Sequence, residues 1–125
     1  MAHLRSPVAR ARGLGSAHTG VSEWWRQRLT AVALVPLCLW FGASLISLTG
    51  ADHAHFAAWM AEPLHAVGLL LVIGAASYHL KVGLDVVIED YVHTEWAKVT
   101  LLVVNGFGAV TMAAVSAFAV LKLAL

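Results

Sequence analysis

The chain has 125 residues, of which 60% are hydrophobic and 12% charged, and it carries a formal net charge of +1. So few polar side chains cannot cover a soluble globule of this size, which excludes a water-soluble enzyme domain and puts the chain in a bilayer. No nucleic-acid partner is expected.

Residues 1–22 hold Arg5, Arg10 and Arg12 among Gly13, Gly15 and Gly20, and read as a short cytoplasmic arm, with lipid headgroups or a docked soluble partner as its contacts. The first apolar run, residues 29–48, is too long for a signal-peptide core and is followed by two more, so it is read as retained. Trp24 and Trp25 lie ahead of it as interfacial anchors. Arg28 opens it, either as a topogenic charge or as a guanidinium able to clamp a haem propionate or polarise a quinone headgroup. Pro36 lies inside this span as a tolerated kink, and Cys38 is single, so neither a disulfide framework nor a cysteine metal cluster is expected.

A loop over residues 49–63 leads to the second span, residues 64–88, and a second loop leads to the third, residues 99–123. Each span reaches the roughly 20 residues needed to cross about 30 Å of hydrocarbon. Continuous apolar runs without alternation argue for helices, so the fold is all-α: a single domain over residues 1–125, an integral membrane anchor of three transmembrane helices. The basic residues before the first span, with Lys98 in the second loop, put the N-terminus on the cytoplasmic side and the C-terminus on the periplasmic side. Lys122 alone opposes that bias. The third span shows no functional signature beyond its apolarity with Gly106 and Gly108.

The chemistry lies in the second span. His79, Gly83, Val86 and Asp90 share one helix face, with Asp90 roughly 16 Å beyond the histidine. A histidine inside a span is costly without a partner. Two readings stand: an iron ligand through one ring nitrogen, or a structural residue bonded to a hydroxyl such as Ser77 or one on a neighbouring helix. Gly83, one turn away, clears room for a porphyrin edge. At the helix end Tyr91 can donate to a quinone carbonyl, with Asp90 positioning the phenol or relaying a proton. Lys81, Asp85 and Glu89 form a mutually paired polar stripe on the opposite face. His65 lies about 21 Å from His79 on nearly the same face. It reads as a wet histidine at the outer mouth, or as the second ligand set of a self-associating dihaem b-type cytochrome. A third reading is a small transporter in which His79 and Asp90 relay protons.

The run from His79 through Gly83 to Asp90, Tyr91 and Val92, with Arg28-Leu29-Thr30-Ala31 opening the first span, resembles the small hydrophobic membrane anchors of succinate dehydrogenase (respiratory complex II). Arg12 through Ala17 and Trp24 through Ala31 are similar to the alphaproteobacterial form of that anchor. The resemblance implies that His79 is one axial ligand of a haem b shared with a second membrane anchor subunit, with Gly83 packing against the haem. It implies that Tyr91 and Asp90 bind ubiquinone and that Arg28 approaches the haem propionates or the quinone pocket. Succinate oxidation would occur on a flavoprotein subunit, with electrons arriving through an iron-sulfur subunit at a bacterial inner membrane. A trimer of heterotetramers and a fumarate reductase anchor running the reverse reaction belong to the same expectation.

Overall fold

A computed structural model of the chain describes residues 7–11 and 20–125. Of the expected arm, residues 1–6 and 12–19 lie outside the described residues, and Pro7–Ala11 forms a one-turn helix, α1.

Three long helices follow the three apolar runs, each long and apolar enough to cross a membrane: α2 (Gly20–Ser47), α4 (Pro63–Tyr91) and α5 (Glu95–Ala124). All three overrun the expected spans. At 1.5 Å per residue the 28 residues of α2 are about 42 Å long, more than the hydrocarbon thickness, because hydrogen bonding continues into the interfacial layer where apolarity has ended. Trp24, Trp25, Arg26 and Arg28 therefore lie on the helix and not ahead of it, and Glu23 occupies its first turn, where a negative charge suits the N-terminal dipole. Pro36 is accommodated inside α2.

The expected loop over residues 49–63 holds a further helix, α3 (His53–Ala61). A turn with Gly50 at φ 79° ends α2, and Asp52 then caps α3 by accepting from the His55 amide at 2.8 Å. Pro63 sits in the first turn of α4, where its missing amide costs nothing. Nine residues cannot cross a bilayer, so α3 folds against α4 and α5, and Met60 becomes the most buried of the core residues at 2% exposure, packed with Ala66 and Val120. Trp40, Trp59 and His65 stack beside it, with the Trp59 and His65 rings 4.1 Å apart and 12° from parallel. A Cβ on Gly68 would lie 2.6 Å from the Trp40 ring, so only glycine admits this stack.

α4 is the middle element. It runs antiparallel to α2 and to α5, and among the described residues no Cα of α2 comes within 8 Å of one in α5. The three spans thus form an open layer and not a closed bundle. Little apolar surface is covered by the chain itself: the most apolar stretch of α4 buries 11% of its residues and that of α5 none. The remainder faces lipid or other chains.

α4 and α5 are also tied by polar groups. The amide of Asn105 donates to the Asp85 carboxylate at 2.8 Å and to the Lys81 carbonyl at 2.9 Å, while Lys81 pairs with Asp85. The expected Lys81 and Asp85 pairing is present; Glu89 stands outside it, its carbonyl accepting from Lys98 at 3.1 Å. Asn105 thus gives the third span a polar role beyond its apolarity. Replacing Asn105 with leucine leaves a partly buried carboxylate one donor short, and a loss of about 1 kcal/mol, the usual size of an interhelical bond in lipid, is expected. A thermal-unfolding series in detergent checks this, with Asn105→Gln retaining part of the bond.

Candidate functional site

His79 sits half-buried on α4 where α2 crosses it. Its Nδ1 lies 3.0 Å from the Thr30 hydroxyl of α2, and that hydroxyl is also 2.9 Å from the Gln27 carbonyl and 3.0 Å from the Arg26 carbonyl. When the threonine proton goes to the Gln27 or Arg26 carbonyl, a threonine lone pair accepts Nδ1–H and Nε2 keeps its lone pair. Nε2 makes no hydrogen bond among the described residues. The arrangement matches the structural reading in having a neighbouring-helix hydroxyl, and it also meets the requirement for a metal ligand, one nitrogen oriented and the other free. Gly83 lies on the same side of α4. A Cβ there would stand 3.8 Å from the Gln27 side-chain nitrogen, at ordinary van der Waals distance, so the Gln27 side chain lies over this glycine.

Asp90 and Tyr91 end α4, because Val92 leaves helical geometry at φ −96° and ψ 109°. Both side chains are exposed, Tyr91 at 79%, and neither makes a hydrogen bond or ion pair among the described residues. They stand roughly 16 Å along the helix from His79, as the spacing implies. Arg28 is exposed too, its guanidinium 5.5 Å over the Trp24 ring, and it is not joined to His79 or to Tyr91. Arg26 is the arginine that reaches α4, donating to the Tyr78 hydroxyl at 3.4 Å and to Ser22 at 3.2 Å. Around it opens a cleft of about 320 Å³ between α2 and α4, whose charged walls are Glu23, Arg26, Lys81, Asp85 and Glu89.

His65 is not the wet residue expected at the outer mouth. It is half-buried in the tryptophan stack, its Nδ1–H donating to the Trp59 carbonyl at 2.9 Å. No group of three or more histidine, cysteine or acidic side chains able to hold a metal ion is found among the described residues.

Thr30, Arg26 and Tyr78 carry no distinguishing signal in the sequence. A hydroxyl in an apolar span is a weak mark, and only the register between α2 and α4 makes it specific.

Compared with known proteins, residues 2–121 match the family described as succinate dehydrogenase/fumarate reductase transmembrane subunit. The chain is 31% identical over 115 residues to the succinate dehydrogenase hydrophobic membrane anchor subunit of Paracoccus denitrificans, covering 91% of this chain and 89% of that one. It is 31% identical over 101 residues to the protein of the same name from Rickettsia bellii, covering 80% of each. With that from Rickettsia felis it shares 32% over 114 residues, covering 89% of each. No solved structure matches.

Proposed function

The chain belongs to the succinate dehydrogenase/fumarate reductase transmembrane subunit family, as a multi-pass membrane anchor subunit of succinate dehydrogenase, and from that premise we propose that it holds haem b through His79 and binds ubiquinone at Tyr91 and Asp90. The observation that supports this reading is the 3.0 Å contact between the Thr30 hydroxyl and His79 Nδ1, which orients the ring while Nε2 makes no hydrogen bond among the described residues. One imidazole beside a residue without a side chain suits an iron porphyrin better than an isolated ion, and His79 would hold its iron together with a ligand from another chain. That chain is a second, different membrane anchor of the same complex.

When bound, haem b supplies a one-electron way-station beside the quinone site. The protein's own part is to hold and orient. Thr30 fixes the His79 ring and its tautomer, and Gly83 admits a flat edge. Arg28, exposed at the end of α2, can pair with a propionate or with the quinone headgroup. The Tyr91 phenol donates to a quinone carbonyl and Asp90 sets the phenol or passes it a proton. Because both lie at the end of α4, protons reach the quinone from water without a path through lipid. Electrons arrive there from an iron-sulfur subunit, and a flavoprotein subunit oxidises succinate far from any residue of this chain. The basic residues Arg26 and Arg28 at the start of α2 and Lys98 at the start of α5 support a cytoplasmic face for this end in a bacterial inner membrane, with the C-terminus periplasmic.

Thr30→Val tests the orienting bond. It removes the acceptor for Nδ1–H while keeping shape, so haem is expected to bind about 10- to 100-fold more weakly, the usual effect of losing such an outer partner. Titration of the haem-depleted complex with haemin, followed optically, measures it; Thr30→Ser should restore most of the affinity. Unchanged binding in Thr30→Val would show that the hydroxyl has no part in ligation.

A further inference from the structure

Two adjoining recesses open between the helices, and none of His79, Gly83, Arg28, Asp90 or Tyr91 lines either of them. The first is the charged cleft between α2 and α4. The second is an apolar groove of about 650 Å³ between α4 and α5, floored by Gly74 and Gly106 and walled by Phe107, Val110 and Ala113. Tyr78 and Lys81 line both recesses and form their common wall. A Cβ on Gly74 or on Gly106 would meet nothing within 4 Å, so the groove is open where it is deepest in the span.

We propose that the cleft and groove together bind one zwitterionic phospholipid, its headgroup in the cleft and one acyl chain in the groove. The groove follows α5 from Leu102 to Ala113, about 16 Å of helix, against about 15 Å for the hydrocarbon depth of one leaflet. The charges are ordered along the membrane normal. Arg26 and Lys81 lie deeper; Glu23 is one turn further out on α2, and Glu89 about 12 Å further out on α4. That order fits a headgroup whose phosphate is nearer the hydrocarbon and whose ammonium points to water. Asp85 is already matched by Lys81 and Asn105. Arg26 donates to the neutral hydroxyls of Tyr78 and Ser22 and forms no ion pair among the described residues, so its charge faces the cleft without a carboxylate bond. A phosphate supplies the bidentate acceptor that a guanidinium takes best. This site is separate from the haem and quinone reading and does not depend on it.

The test uses the whole complex purified in mild detergent, stripped of loose lipid, and exchanged into micelles with equal phosphatidylethanolamine and phosphatidylglycerol. Native mass spectrometry then counts retained lipid. One phosphatidylethanolamine per copy of this chain is expected, preferred over phosphatidylglycerol about fivefold, the upper range for a solvent-accessible ion pair. Gly106→Phe fills the groove and abolishes retention; Gly108→Phe, the same change outside the groove, leaves it intact. Glu89→Gln keeps the lipid and erases the preference, which also serves if the Gly106 variant fails to assemble. Retention that is absent in the parent protein, indifferent to headgroup, or equal in the two phenylalanine variants overturns the proposal. So does loss of quinone instead of phospholipid from Gly106→Phe, which would assign the groove to an isoprenoid tail.

Discussion

His79→Ala is expected to abolish the b-type absorption of the purified complex. On the proposed reading the imidazole bonds iron directly, so its loss should exceed the about 100-fold weakening expected from removal of an outer partner such as Thr30. Folding is not the confounder. The alanine leaves Thr30 bonded to Gln27 and Arg26, and α4 stays tied to α2 through the Arg26 bond to Tyr78. A purely structural histidine gives the opposite pattern: full haem content with a lowered unfolding temperature, because one interhelical bond in lipid contributes about 1 kcal/mol. An optical spectrum beside a thermal ramp on the same sample separates the two.

Tyr91→Phe is expected to lower quinone reduction by about 100-fold, the lower range for removing a group that hydrogen-bonds or protonates a reacting oxygen. Succinate oxidation with an artificial acceptor that takes electrons upstream is expected to survive. Stability should change by less than about 0.5 kcal/mol, since Tyr91 is 79% exposed and forms no bond among the described residues. Asp90→Asn should lower the same step and leave the quinone bound, because an amide can still orient the phenol but cannot relay its proton. Equal losses with quinone and with the artificial acceptor would place the defect in assembly and not at a quinone site.

What sequence shows of this molecule follows the physics of each feature. The three spans are legible because the bilayer fixes a length and an apolarity that nothing else in 125 residues imitates. Their ends are less so, since a hydropathy window stops at the hydrocarbon while α2 runs on to Gly20. α3 escapes the same window: nine residues fall below a span, and only the Asp52 cap and Pro63 mark its limits. The stripe from His79 to Asp90 is visible because helical periodicity is local. Thr30 as partner of His79 is not, because 49 residues separate them and the register of two helices sets the meeting. Arg26 and Arg28 are two apart on one helix and so face different ways; sequence singles out Arg28, whereas Arg26 is the one that contacts α4. Asn105 leaves no mark in a reading of the third span alone, because its partners Asp85 and Lys81 come from another helix.

The openness of the layer has a functional sense. A chain whose spans cover almost none of their own surface needs partners, and a ligand held by one imidazole needs a second from elsewhere. The first accords with α4 lying between two helices whose backbones stay apart among the described residues. The central proposal is one of sharing, that this chain gives one ligand to a haem that another, different anchor completes. Haem-to-chain stoichiometry of the complex purified in mild detergent, with each co-purifying chain identified, tests it most directly. One b-type haem per pair of unlike anchor chains, with iron-sulfur and flavin subunits present, is the predicted result; haem bound by this chain alone, or none in the intact complex, would contradict it.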